Sequence, residues 1–344
     1  MTANNQTVLV TGGTGFVGSH CILQLLQQGY TVKTTIRSMA KKDKVVGMIK
    51  TSGVAVDRLS FVEADLTDDK NWDYAVRGCD YVLHVASPIF LRLPETEDEM
   101  IKPAVEGTKR VLKAARAAGV KRVVMTSSFA AVGYSHKDPK TIITEESWTD
   151  PYDKSLSAYV KSKAFAERAA WDFVQGDSGI ELSVINPVAI FGPSLGPDLS
   201  SGFEVLKRML EGTVKAVPKI SMCIVDVRDV ADIHLKAMVH PRAVNQRFLA
   251  LAGGVVSMHD IALLVRNRFG DRAKKVPLRV LPDWLVRIAS LFSKDAKAVV
   301  PMLNRIKNAS NEKAKTLLGW QPRSNDEAII ASVESLFHYG VIKP

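Results

Sequence analysis

Tyr159 and Lys163 stand four residues apart in the segment SLSAYVKSKAFAERAAWDFV. At that spacing two side chains share one face of an α-helix and reach the same bound molecule. A free phenol is a weak acid, with a pKa of about 10. A neighbouring ammonium stabilises the phenolate and draws that value towards neutrality, where the group exchanges protons usefully. Lys161, two residues along, points to another side of the helix. The segment alternates apolar and charged residues at helical spacing, so the sequence predicts a helix. A tyrosine–lysine pair of this kind also arises by chance on surface helices, so its meaning depends on the elements that position it.

Those elements begin near the N-terminus. Thr7 to Val10 is a short β-rich run, TVLV, followed by TGGTGFVG and then the helical pattern SHCILQLLQQG. Strand, glycine turn and helix in succession is the context in which such glycines mark a dinucleotide site. Gly12, Gly15 and Gly18 allow a tight turn and a close approach to a pyrophosphate, which rests on the amides of the helix N-terminus. Gly13-Thr14-Gly15-Phe16-Val17-Gly18 also satisfies G-x-G-x-x-G, so the glycines alone leave the subfamily open. The next strand, TVKTTI, ends at Ile36. Sites that read NAD place a carboxylate hereabouts for the ribose 2′-hydroxyl. This chain has Arg37, then Ser38, Lys41, Lys42 and Lys44. A guanidinium pairs with a 2′-phosphate and stacks on adenine, which assigns Arg37 to NADPH.

Further strand–helix units follow. LSFVEADLT closes on Asp65-Leu66, where Asp65 either accepts from an adenine amino group or caps the next helix. YVLHVASP is nearly all apolar, as parallel strands buried on both faces are, and ends at Ser87-Pro88. Residues 99–118 are expected to be helical, with Pro103 in the first turn and Gly107 allowing close packing. VKRVVMTSS ends at Thr126, Ser127 and Ser128, and ligands of open α/β sheets lie beyond such carboxyl ends. IELSVINP runs into Pro187, FGPSLGPDLSSG is loop, and CIVDVRDVADIHLKAM has strand–turn–helix character. After about residue 255 the alternation stops and the chain is mostly helical, broken by Pro277, Pro282, Pro301 and Pro322. The expected fold is α/β: a doubly wound parallel sheet of Rossmann type with a smaller, mostly helical substrate lobe. Residues 1–190 and 222–255 would form the nucleotide domain, and 191–221 with 256–344 the lobe.

Composition bounds the rest. The 344 residues are 46% hydrophobic and 24% charged, as in ordinary globular proteins, with a net charge of +10. No block of like charge or basic–aromatic ladder supports nucleic-acid binding. Cys21, Cys79 and Cys223 are odd in number and lack metal-ligand spacing, which argues against a disulfide framework or a zinc site. The polar start MTANNQT carries no secretory signal. The apolar stretch 276–303 is interrupted by Arg279, Asp283, Arg287, Lys294 and Asp295, so it does not span a bilayer. A cytoplasmic protein, monomeric or homodimeric and without a membrane partner, is expected.

Taken together, TGGTGFVG, Asp65-Leu66, VLHVASP, RVVMTSS, YVKSK and the late LGWQPRS resemble the extended short-chain dehydrogenase/reductases. The branch is that of dihydroflavonol reductases, cinnamoyl-CoA reductases and yeast-type aldehyde and ketone reductases. The resemblance implies Ser128, Tyr159 and Lys163 as catalytic residues. It also implies NADP contacts from Gly12, Gly15, Phe16, Val17, Arg37, Lys44, Asp65, Leu66, Val85, Ser87, Pro187 and Val188, with Gly18 and Thr126 beside them. Two departures matter. Many extended members carry asparagine in N-V-x-G-T, where this chain has Ala104. Dihydroflavonol reductases carry asparagine five residues past the catalytic serine, where this chain has Gly133, which disfavours a flavonoid substrate.

The expected reaction is reduction of a carbonyl by NADPH. Ser128 donates a hydrogen bond to the carbonyl oxygen, Tyr159 supplies the proton, and Lys163 lowers the tyrosine pKa and holds the nicotinamide ribose. Phe90, Phe129, Tyr134, Phe191 and Leu195 are the expected pocket walls, which suits an apolar or aromatic aldehyde or ketone. A hydroxysteroid dehydrogenase, a sugar-nucleotide epimerase or dehydratase with tightly held NAD, and a non-catalytic NADPH-binding protein are the alternatives.

Overall fold

A computed structural model describes residues 5–88, 95–176, 179–197 and 202–342. Six strands and five helices come first in the chain: β1 (Thr7–Val10), α1 (Phe16–Gln27), β2 (Thr31–Ile36), α2 (Lys42–Thr51), β3 (Leu59–Glu63), α3 (Trp72–Val76), β4 (Tyr81–His84), α4 (Asp98–Ala117), β5 (Arg122–Thr126), α5 (Ala158–Val174) and β6 (Glu181–Pro187). The chain then makes β7 (Ala189–Phe191), α6 (Gly202–Glu211), β8 (Val217–Pro218), β9 (Ser221–Met222), β10 (Ile224–Asp226) and α7 (Val227–Val239). β11 (Gln246–Ala250) returns to the main sheet. β12 (Val256–Ser257), α8 (Met258–Phe269), β13 (Val280–Leu281), α9 (Asp283–Ala289), α10 (Lys294–Val299), α11 (Glu312–Leu318) and α12 (Asn325–His338) complete the described chain.

The seven-stranded sheet runs β11-β6-β5-β4-β1-β2-β3, with every pair parallel. Strand order reverses between β1 and β4; Val8 of β1 pairs with Val32 of β2 on one side and with Tyr81 of β4 on the other. That reversal opens the crevice in which doubly wound sheets hold ligands. The pleat sends Val8 and Val10 to one face and Leu9 to the other. On the first face they meet Ile22 and Leu25 of α1, Val45 and Ile49 of α2, and Val230 and Ile233 of α7. On the second, Trp72 of α3, Val111 and Leu112 of α4, and Ala166 and Ala170 of α5 pack together. Each fully buried aliphatic side chain stabilises the fold by about 1.5–3 kcal/mol.

Helix starts follow their local chemistry. Ser157 caps α5 by accepting from the Val160 amide, and Asp226 caps α7 by accepting from that of Arg228. Capping boxes pair Ser257 with Asp260 and Ser324 with Glu327. Pro103 lies further inside α4 than the first turn expected for it, because the helix starts at Asp98.

The lobe has its own core, in which Phe203 and Leu206 of α6 meet Ile261 and Val265 of α8 and Ile329 and Val333 of α12. The late chain does not all stay with it. Ala314, Leu318 and Trp320 join the cluster on the α1 face of the sheet, and the fully buried Trp320 indole donates to the Asp229 carbonyl at 3.0 Å. Among the described residues, no helix is long and apolar enough to cross a membrane, and no cluster of His, Cys, Asp and Glu could hold a metal. The three cysteines are free and buried, and burial pushes the thiols of Cys79 and Cys223 up to about 11.

Candidate active site

The turn between β1 and α1 is shaped by contacts that exclude side chains. Gly12 has φ of +73°, and a Cβ there would press on Ala86 Cβ at 3.0 Å. A Cβ on Gly18 would stand 2.4 Å from the Gly12 carbonyl oxygen. α1 has no side-chain cap and no acidic residue in its first turn. Its leading amides are therefore suited to a phosphate, and the turn fits a dinucleotide. Phe16 and Val17 open the helix, half-buried.

Arg37 is exposed immediately past β2, and Lys44 is half-buried in the first turn of α2. Asp65 Oδ1 accepts from both the amide and the hydroxyl of Thr67 at 2.8 Å. Of the two roles left open for it, the turn-forming one is therefore present. Burial raises its pKa, but the Thr67 bonds and the charges of Arg37 and Arg110 outweigh that and hold the carboxyl below its usual range. Leu66 is buried against α4, where a Cβ on Gly107 would meet Leu66 Cβ at 3.0 Å. Val85 and Ser87 lie just past β4, and Pro187 and Val188 at the end of β6, where the Val188 amide donates to the Ala250 carbonyl at 3.2 Å.

The other half of the site sits at the carboxyl ends of β4 and β5. Ser128 starts a single 3-10 turn over Phe129–Ala131, its Oγ accepting from the Ala130 amide at 3.1 Å. α5 packs on that turn. Tyr159 lies in the first turn of α5 and is 51% exposed, open to a ligand. One helical turn on, Lys163 Nζ donates to Ser87 Oγ at 3.0 Å, tying α5 to the end of β4. Beneath it His84 is buried, its Nδ1 3.1 Å from Thr11 Oγ1. Burial, and then the Lys163 charge, push His84 down to about 3, so the imidazole is neutral.

Phe129 and Tyr134 form an edge-on aromatic pair with centroids 6.3 Å apart. Burial, and then the nearby Tyr159, push the Tyr134 phenol up. Lys307 reaches over from the late chain. Its Nζ donates to the carbonyls of Gly133 at 2.7 Å and His136 at 3.1 Å, and burial pushes it down to about 8. A Cβ on Gly133 would lie 2.4 Å from Phe129 Cζ. The aromatic ring thus fills the space into which an asparagine at this position would extend.

Ser128, Tyr159, Lys163, Ser87, Phe129 and Tyr134 therefore meet at one end of the sheet, whereas other expected residues lie elsewhere. Phe191 belongs to the lobe core. Leu195 lines a groove of about 420 Å³ beside α1, with His20, Gln24, Arg228 and Arg323. Thr126 stays beside the site, lining a small cavity with His84, Ser87 and Lys163, and its hydroxyl is 2.6 Å from His234 Nε2 of α7. Phe90 lies outside the described residues. Lys161 points away from Lys163, as its spacing requires, but it is not idle. Buried, it donates to both carboxylate oxygens of Glu97, at 2.7 and 2.8 Å. His84, Glu97 and Lys307 carried no role in the sequence reading. The signal for His84 was present, since it is the one ionisable residue within an otherwise apolar strand, VLHVA.

The model of the NAD dependent epimerase/dehydratase family matches residues 8–250. A cinnamoyl-CoA reductase of Medicago truncatula is 34% identical over 335 residues, covering 96% of this chain and 95% of that protein. A putative NADPH-dependent methylglyoxal reductase of Candida albicans is 35% identical over 295 residues, covering 80% of this chain and 86% of that one. Among solved structures, yeast methylglyoxal/isovaleraldehyde reductase complexed with NADPH superposes with a TM-score of 0.82 at 26% identity, covering 98% of this chain and all of that one. With the glycine turn and the sheet order in place, these matches establish that the chain belongs to the NAD dependent epimerase/dehydratase family, the extended branch of the short-chain dehydrogenase/reductases.

Proposed function

We propose that this protein is an NADPH-dependent reductase that converts an apolar or aromatic aldehyde or ketone to its alcohol, with Tyr159 as proton donor. The observation that carries the reading is the bond from Lys163 to Ser87, which holds an ammonium one helical turn from the exposed Tyr159 at the mouth of the crevice. The glycine turn, Arg37 and the residues at the ends of β4 and β6 are the groups that would hold the dinucleotide. When bound, NADPH supplies hydride to the carbonyl carbon.

The chain's own groups do the rest. Ser128 Oγ already accepts from the Ala130 amide, so its proton is left to donate to the carbonyl oxygen. Tyr159 gives its proton to the developing alkoxide, and the Lys163 ammonium stabilises the phenolate that remains. One of the three Lys163 donors is taken by Ser87, which leaves two for ribose hydroxyls. The neutral His84 places no second positive charge beneath the lysine. Phe129 and Tyr134 wall the substrate side. The names of the relatives support a carbonyl substrate, and the three free cysteines support a cytoplasmic setting. β11 lying beside β6 supports grouping 1–190 with 222–255 as the nucleotide domain.

The test removes only the phenol oxygen. Tyr159→Phe should lower turnover at least about 10²-fold, followed as NADPH oxidation with aliphatic, aromatic and steroidal carbonyls. The Kd for NADPH, read by fluorescence, should stay within about threefold because Lys163 is untouched. Turnover near that of the native protein would overturn the assignment.

A further inference from the structure

Four residues beyond Lys163 and eight beyond Tyr159, at the helical spacing that keeps one face of α5, lies Glu167. It is fully buried. Its carboxylate gathers donors from three strand ends and its own helix. Oε2 accepts from Ser127 Oγ at 2.5 Å and from Asn186 Nδ2 at 2.6 Å. Oε1 accepts from Arg247 Nε at 2.6 Å and from the Trp171 indole at 3.3 Å. Ser127 adjoins Ser128, and Asn186 Nδ2 also donates to the Ser128 carbonyl at 3.2 Å. Arg247, from β11, donates onward to the carbonyls of Glu145 at 2.7 Å and Ser147 at 2.9 Å, and its guanidinium stacks 3.7 Å from the Trp148 ring centre.

A buried ion pair adds little net stability over an apolar filling of the same space. What this one supplies is direction, because every bond has a fixed geometry and ends on a different element. We propose that Glu167 is the positioning residue of the site, setting the separation between the Ser128 hydroxyl and the Tyr159–Lys163 face of α5. This rests on the reductase reading given above. Glu167 touches neither substrate nor cofactor. It acts through α5 on one side and through Asn186 and Ser127 on the other.

Two variants test it. Glu167→Gln keeps the size but turns an amide donor towards groups that are themselves donors. Asn186→Leu removes a direct link to the Ser128 carbonyl and leaves the Glu167–Arg247 pair intact, so it decides the matter if Glu167→Gln does not fold. Displacements near 1 Å cost on the order of 10² in rate. Each folded variant should therefore lose roughly 30- to 100-fold in kcat while its Kd for NADPH stays within about threefold. The kinetic isotope effect with deuterated NADPH should rise as the chemical step becomes limiting, a change that loss of folded protein alone does not produce. A kcat per folded molecule within about twofold of native, with an unchanged isotope effect, overturns the proposal. Tyr159→Phe measured alongside separates the two ideas: if it is inactive while folded Glu167→Gln or Asn186→Leu is not, positioning alone falls. If Tyr159→Phe is active, the reductase reading itself falls.

Discussion

Lys161 and Lys163 are two residues apart and should fail in different ways. In Lys161→Ala the buried ammonium and its two bonds to Glu97 are lost. The lysine side chain is 9% exposed and that of Glu97 is 52% exposed. Hydrogen bonds to charged groups contribute about 1.5–3 kcal/mol, but Glu97 is free to rehydrate, which places this pair near the low end. Loss of the buried aliphatic stem adds about 1 kcal/mol. A total of about 2–3 kcal/mol corresponds to a fall in Tm of about 3–4 °C for a chain of this size. Turnover and NADPH affinity, measured well below the transition, should match the native protein. Lys163→Ala should show the converse pattern, losing turnover and cofactor affinity together because its ammonium serves both. Thermal melts by circular dichroism, NADPH absorbance and cofactor fluorescence on the two variants give all three readings. An unchanged melt in Lys161→Ala, or a loss of turnover like that of Lys163→Ala, refutes this division of labour.

Arg37→Ala should raise the KM for NADPH ten- to a hundredfold, from the loss of charged hydrogen bonds of about 1.5–3 kcal/mol, and leave NADH kinetics unmoved. A native enzyme that prefers NADH would sink that assignment. Acid should weaken the fold through three histidines, since burial pushes His20 and His234 down to about 4 and His84 to about 3. These values are depressed relative to about 6.5 in the unfolded chain. The unfolded state takes up protons first as pH falls, so the stability is complete above that value and drains away towards pH 4. The slope is about 1.4 kcal/mol per pH unit for each histidine. Urea unfolding at pH 7, 6 and 5 measures it, and His84→Gln should give a shallower slope than the native chain.

The parts of the fold legible in the sequence are those encoded locally. β1, β2 and β6 end where TVLV, TVKTTI and IELSVINP end, because period, glycine and proline mark strand limits within a few residues. Helical spacing pairs Tyr159 with Lys163, but only the surrounding motifs give the pair a meaning, and the strand end offers Thr126, Ser127 and Ser128 alike, among which the family resemblance singles out Ser128. What escaped depends on partners far away in the chain. Glu167 reads as one more charged residue on an amphipathic helix until Arg247, 80 residues later, is found against it. The bond between the Thr126 hydroxyl and His234 of α7, 108 residues later, is of the same kind. Phe191 and Leu195 are apolar residues in a loop-rich stretch, and apolarity does not distinguish a pocket wall from a lobe core or a groove.

The late return of β11 to the sheet, with Trp320 closing the core behind it, sets an order on biosynthesis. Until residues 246–250 have left the ribosome, β6 is an unpaired edge of the sheet, the kind of surface that invites strand pairing between nascent chains. Until Trp320 follows, the apolar cluster on the α1 face lacks one of its largest fully buried side chains. The main sheet and its α1-face core are thus begun first and completed only at residue 320, after α6 and α8 have been made. A premature stop ahead of Trp320 therefore leaves the α1-face cluster without that side chain and the lobe core without α12.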